Sequence, residues 1–221
     1  MPESSFEGSS GLPSLKVTAL SLSKGAMTLG PASFTLPGAG CWWLAGVSGA
    51  GKSLLLESLA GFHAESVGNI LASGKDVGLR APEYRSIALL PQRWRLFPHW
   101  TVGRNLAFAA NLSDSNTIRS RQLAEKLQVE HLLDRPTSAL SGGETQRIAL
   151  IQTLLSPARI LLLDEPLSAV DAALQSAVLD LLQQESTTNQ RICLIAAHRP
   201  TPEYPMKGTF WIDGGQLAQK P

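Results

Sequence analysis

Several things are scarce in this chain, and each scarcity excludes something. Only two of its 221 residues are cysteine, Cys41 and Cys193, and both fall in apolar runs. That excludes a disulfide-stapled scaffold and marks both thiols as small buried hydrophobes. No apolar run approaches the roughly 18 residues a membrane-spanning helix needs, so any work at a membrane has to pass through a partner. Charge of one sign is also lacking: Lys+Arg 19 stand against Asp+Glu 18, a formal net charge of +1. The balance leaves no electrostatic footprint for nucleic acid, which is not an expected partner. The opening "MPESSFEGSSGLPS" has neither positive charge nor an apolar stretch. It is no secretory signal, and residues 1–14 are expected to be a disordered lead-in. What is present, 43% hydrophobic and 17% charged residues, suffices for one large core over residues 15–221.

Short alternating segments bounded by Gly and Pro open that domain: "LKVTALSL", "AMTLG" and "ASFTLPG". They predict separate antiparallel strands. "CWWLAGV" predicts a buried strand, with Trp42 and Trp43 on opposite faces. "KSLLLESLAGF" predicts a helix stopped at Gly61, followed by an antiparallel patch "GNILASGKDV" and a strand "SIALLPQ". Residues 101–133 are expected to be mostly helical, with a break at Pro136. "TQRIALIQTLLS" repeats apolar residues at helical spacing. "RILLLDEP" and "RICLIAAH" predict interior strands, and "TFWIDGGQLAQ" a hairpin turned at Gly214–Gly215. In "DAALQSAVLDLLQQES", Leu174, Val178, Leu181 and Glu185 share a stripe, of which the apolar three are expected to face inward. Interior strands alternating with helices point to an α/β fold with a mainly parallel sheet.

The stretch "GVSGAGKS" follows the strand "CWWLA" and precedes a helix. It matches the GxxxxGK[ST] pattern at Gly46, Gly51, Lys52 and Ser53. The glycines let backbone N–H groups of Gly46, Ser48, Gly49, Ala50 and Gly51 turn toward phosphate oxygens, and the helix start aims its positive dipole end at the same anion. Lys52 can reach the β- and γ-phosphates, and the Ser53 hydroxyl can complete a Mg²⁺ shell. Chance spells this pattern in a chain of this length under about 1% of the time. A phosphate seat is therefore preferred to a merely glycine-rich turn.

"ILLLDEP" drives an apolar strand through the core and delivers Asp164 and Glu165 to its carboxyl end, where open α/β sheets bind ligands. Asp164 is suited to hold Mg²⁺ through water. Glu165 is suited to polarise a water for in-line attack on a γ-phosphate. Two acids capping the next element would be the alternative without the phosphate loop upstream.

With "LSGGE" at residues 140–144 lying between these two motifs, the chain resembles the nucleotide-binding subunit of an ATP-binding cassette (ABC) transporter. The order of motifs agrees: Gln92 stands in the Q-loop position, "SAVD" ending at Asp171 in the D-loop position, and His198 in the switch-histidine position. The resemblance covers nearly everything from Lys16 to Gln216. It implies a P-loop ATPase core with an antiparallel β lobe and an inserted helical subdomain over residues of about 93–157. Glu165, His198 and Gln92 would serve catalysis; Ser53, Gln92 and Asp164 would hold Mg²⁺. Ser141, Gly142 and Gly143, at a helix N-terminus, would form a second anion seat. Ser141 and Asp171 would also cap the helices that follow them. The resemblance further implies a head-to-tail homodimer, or a pair with a similar subunit, in which one copy's signature seat closes over ATP on the other's phosphate loop.

"RWRLFPHWTVGRN" places Trp94, Phe97 and Trp100 among Arg93, Arg95 and His99. Aromatics rimmed by cations suit a partner interface, and the resemblance assigns Arg93–Asn105 to the groove that receives a transmembrane permease. "LFPHWTV" is similar to a segment of bacterial importer subunits, which implies an importer with a solute-binding protein, held on the cytoplasmic face of the inner membrane by its partner. The extra carboxyl-terminal regulatory domain of some importer ATPases is expected to be absent. Two features depart from the family: "LSLSKGAM" offers no aromatic ring for adenine, and "AAHRP" surrounds His198 atypically. A soluble ABC-type ATPase that remodels a protein assembly is the alternative function, and it would share every catalytic motif.

Overall fold

The computed structural model describes residues 11–110, 114–201 and 204–220. Most of the expected lead-in, residues 1–10, and residues 111–113 of the expected helical stretch lie outside them.

Among the described residues, ten strands form two sheets. The first is antiparallel, in the order β2-β1-β4-β5, from β1 (Leu15–Lys24), β2 (Met27–Leu36), β4 (Val67–Ala72) and the short β5 (Lys75–Asp76). The second, in the order β10-β9-β3-β8-β7-β6, takes β3 (Gly40–Ala45), β6 (Ile87–Leu90), β7 (Ile160–Asp164), β8 (Ile192–Ala197), β9 (Thr209–Asp213) and β10 (Gln216–Lys220). All its pairings are parallel except the closing β9–β10 hairpin. "AMTLG" and "ASFTLPG" are one strand, not two. The β1–β2 register shifts between Val17, Leu20 and Leu22, which lets β2 run on through Gly30–Pro31.

β3, β7 and nearly all of β8 are buried, because helices or the other sheet cover both of their faces. On β3, Trp42 and Leu44 enter the core shared with the antiparallel sheet and α1 (Lys52–Ala60). Cys41 and Trp43 enter the opposite core. That second core packs α2 (Val102–Ala109), α3 (Asp114–Lys126), α4 (Gly142–Leu155) and α5 (Ala172–Thr188). Cys41 and Cys193 are free, buried register partners on β3 and β8.

Glu185 does not behave as its stripe suggested. It is only 4% exposed, as deeply placed as its apolar neighbours on α5. Arg119 of α3 donates to both of its carboxylate oxygens at 2.7 and 2.8 Å, Asn189 donates at 2.9 Å, and Arg191 stands 3.3 Å away. The carboxylate is buried because cations from two other segments come to it. This ion triad joins α3 to the strand-bearing core.

Candidate functional site

α1 begins at Lys52, and its N-cap is Gly51 at φ 107° with no side-chain cap. A side chain strongly disfavours that backbone region, as it does Gly49 at φ 78°. The N–H groups of the first turn are therefore left to a ligand. Gly46 is glycine for another reason: a Cβ there would collide with the Ile212 carbonyl of β9. Ala50 is buried, and its carbonyl accepts from Gly215 N at 3.0 Å, which ties the loop to the β9–β10 turn.

A cavity of about 340 Å³ opens over this loop. Ser48, Gly49, Gly51, Lys52 and Ser53 line it from the loop, and Gln92 and Glu165 from the strand ends opposite. Lys52 is 4% exposed. Its ammonium donates to the Gly46 carbonyl at 2.8 Å and the Val47 carbonyl at 3.2 Å, and lies 3.6 Å from Glu165 Oε1. Gln92 Nε2 donates to Glu165 Oε2 at 3.2 Å. Two residues distant in sequence, Lys52 and Gln92, thus converge on the Glu165 carboxylate.

Asp164 sits at the end of β7, 3% exposed. The Ser53 hydroxyl stands near its carboxylate, but Oδ1 has no partner among the described residues. Burial raises its pKa above the ordinary value, opposed by the Ser53 hydroxyl and reinforced by the neighbouring Glu165 charge. A buried carboxylate oxygen with no donor, near a serine hydroxyl, is a hard-oxygen donor set. It fits Mg²⁺, which binds through one or two carboxylates plus substrate phosphates. Among the described residues no cluster of three or more His, Cys, Asp or Glu offers a transition-metal site.

The signature segment lies elsewhere on the chain's surface. Ser141 caps α4 in a capping box: its hydroxyl accepts from Glu144 N, and Glu144 Oε2 receives both Ser141 N–H and O–H at 2.7 Å. Those two donors hold the Glu144 carboxyl below its usual range. Ser141 and Gly142 are exposed, and Gly142 has open space where a side chain would stand. Gly143 has none, since a Cβ would come within 2.7 Å of the Ala169 carbonyl. Asp171 caps α5, accepting from Leu174 N at 2.9 Å.

His198, just past β8, is exposed and does not line the cavity. No aromatic ring lines it either; Lys24, Met27, Leu54 and Glu57 complete its wall. Nothing in the spacing of the sequence singled out those four. Gln146 was also missed. Its amide nitrogen donates to the Glu165 carbonyl at 2.7 Å and to Ser168 Oγ at 3.2 Å.

A second, larger hollow of about 530 Å³ lies beyond Gln92. Trp94, Arg95, Phe97 and Phe108 line it, over a floor from Ala88 and Leu89 on β6 and Gln152 on α4. Trp94 Nε1 donates to Gln152 Oε1 at 2.8 Å. Phe97, Trp100 and Phe108 pack on one another with ring centroids 4.5–5.7 Å apart, and the Arg104 guanidinium sits 4.3 Å over Trp100. Phe97 and Phe108 nevertheless remain 46% and 58% exposed. Local packing alone leaves them unfinished.

The family model described as "ABC transporter" matches residues 29–168. The molybdate/tungstate import ATP-binding protein WtpC of Archaeoglobus fulgidus is 44% identical over 142 residues, covering 63% of this chain and 59% of that protein. The maltose/maltodextrin import ATP-binding protein MalK of Yersinia pestis is 36% identical over 179 residues, 79% of this chain and 48% of that one. The chain thus spans about half the length of these curated relatives. Among solved structures, a dimeric ATP-binding cassette in a post-hydrolysis state with ADP and Pi superposes with a TM-score of 0.82 at 17% identity, covering 93% of this chain and 97% of that one. An ADP-bound cassette of an ABC transporter gives 0.76 at 20% identity, covering 94% and 90%.

Proposed function

The chain belongs to the ABC transporter family, and on that premise we propose that it binds and hydrolyses ATP as the motor subunit of a solute importer. The observation that carries this is the convergence of Lys52, Gln92 and Glu165 above an open phosphate loop. Lys52 is placed to leave the Gly46 and Val47 carbonyls for β- and γ-phosphate oxygens, which are stronger acceptors for an ammonium. Glu165 is placed to orient a water and take its proton. Ser53, Asp164 and Gln92 would hold Mg²⁺, which when bound neutralises charge on the phosphates. His198 reaches the γ-phosphate only after its loop moves, so its role belongs to a closed state.

In this proposal two copies, or one copy and a similar subunit, associate head to tail. The Ser141–Gly143 seat of each covers the nucleotide of the other, and release of the γ-phosphate lets them part. The exposed aromatics of the hollow, with Arg93–Asn105 along its rim, receive a helix of a separate permease. The chain is thereby held peripherally at the cytoplasmic face of the membrane, with a solute-binding protein on the far side. No helix among the described residues is long and apolar enough to cross a membrane, which agrees with docking through a partner. That both relatives are import ATP-binding proteins supports import.

Phosphate release from the purified chain with ATP, with and without Mg²⁺, tests the reading. Steady Mg²⁺-dependent release that Lys52→Ala abolishes is expected. Release unaffected by that substitution, or no release at all, contradicts it.

A further inference from the structure

Glu165 is held in an unusual conformation. Its φ is 52°, in the left-handed region that residues with a Cβ rarely occupy. Such a conformation persists only where the surroundings impose it. Here the Glu165 N–H donates to the Ala196 carbonyl at 3.1 Å, and three donors converge on the Glu165 carbonyl oxygen. It accepts from Ser168 N at 3.1 Å, from the Ser168 hydroxyl at 2.9 Å and, most closely, from Gln146 Nε2 at 2.7 Å. The two Ser168 donors come from three residues along the same loop. Gln146 comes from α4, the helix that Ser141 caps.

The Gln146 amide also sacrifices something. Its nitrogen serves Glu165 and Ser168, while its oxygen is buried without a partner among the described residues. Turning the amide over would set two acceptor oxygens 2.7 Å apart, so the nitrogen has to face the Glu165 carbonyl. Unpaired buried acceptors are rare and call for an explanation. Holding Glu165 supplies one.

A second contact ties the same two segments together. Gly143, one turn before Gln146, lies so close to Ala169 that a Cβ would come within 2.7 Å of its carbonyl. The start of α4 and the 165–169 loop therefore move as one unit, with Gln146 as its polar link. In a head-to-tail pair the start of α4 grips the nucleotide bound by the other copy. We propose that Gln146 is a positioning residue that relays occupancy of a chain's own signature seat to its own Glu165, so that the two nucleotide sites of a pair act cooperatively. The inference rests on the head-to-tail reading of the previous subsection.

The test uses the full chain carrying Gln146→Met, which keeps length and loses the donor, and Gln146→Lys, which restores a donor of similar reach. ATP-dependent phosphate release is measured across ATP concentration, with melting temperature measured in parallel. The expected result for Gln146→Met is a fall in kcat of about tenfold or more, within the range for lost positioning. KM should stay within about threefold, the Hill coefficient should drop from above 1 toward 1, and the melting temperature should hold; Gln146→Lys should regain part of both kcat and cooperativity. Unchanged kcat and Hill coefficient in Gln146→Met overturn the inference alone, as does a loss that tracks a lowered melting temperature and is not rescued by lysine. A wild-type chain that hydrolyses no ATP, or does so without cooperativity, overturns the head-to-tail reading and the inference with it.

Discussion

The side-chain amide of Gln92 donates to a carboxylate oxygen of Glu165 at 3.2 Å, across 73 residues of chain. Lys52 faces the other oxygen at 3.6 Å. The carboxylate is thus held between a neutral donor just past β6 and a cation at the phosphate loop. Whatever moves Gln92 moves a hydrogen bond of Glu165. In the proposed function, this would be a physical route from docking to hydrolysis.

Replacing Glu165 with Gln keeps the size and removes the base. Turnover is expected to fall by about 10²- to 10⁴-fold, the range for a lost general base. Nucleotide still binds, so light scattering should find an ATP-bound dimer in this variant. Single-turnover phosphate release measures the rate.

Asp164→Asn is expected to stabilise the fold while abolishing Mg²⁺-dependent hydrolysis. Burial raises the Asp164 pKa, so the folded state keeps this proton to higher pH than the unfolded chain. The cost of the buried charge is absent below the ordinary aspartate value of 3.8. It grows as pH rises through the window up to the raised folded value and is constant above it. At neutral pH the variant should therefore melt higher than the native chain. The gain should shrink as the buffer is acidified toward the ordinary value. Thermal melts at a series of pH values check it.

Glu185→Ala leaves the Arg119 and Arg191 guanidiniums without their shared carboxylate, and Arg191 is only 7% exposed. Breaking a buried pair from one side costs about 3–5 kcal/mol. Urea denaturation should show that loss. Glu185→Gln, which keeps the acceptor oxygen, should lose less.

Two adjacent glycines of the signature should respond differently. Gly142→Ala meets open space, whereas Gly143→Ala drives a methyl against the Ala169 carbonyl. The second is expected to cost about 1–3 kcal/mol of stability and to depress hydrolysis, since the 165–169 loop must shift. Parallel melts of the two variants separate the effects.

The sequence made some of this plain and hid the rest for physical reasons. β3, β7 and β8 are legible because strands covered on both faces spell continuous apolar runs. The phosphate loop is legible because the close Ile212 carbonyl at Gly46 and the positive φ at Gly51 demand glycine at fixed spacing. β2 looked like two strands because Gly30–Pro31 punctuate it, and only the register with β1 carries it through. Glu185 looked like the polar edge of a stripe because its partners, Arg119 and Arg191, arrive from other segments. Gln146 was invisible for the same reason: its contact with Glu165 depends on how α4 meets the end of β7. His198 has its expected place in the chain, but the exposed loop leaves it away from the cavity.

The central claim is that nucleotide brings the phosphate loop of one copy against the signature seat of another. Cysteines placed at Ser48 and Gly142 in the Glu165→Gln background test it directly, because both native cysteines are buried and both new positions are exposed. With ATP and Mg²⁺, a short bifunctional thiol reagent should join separate copies into a covalent dimer, and without nucleotide it should leave monomers. Monomers under both conditions would contradict the account.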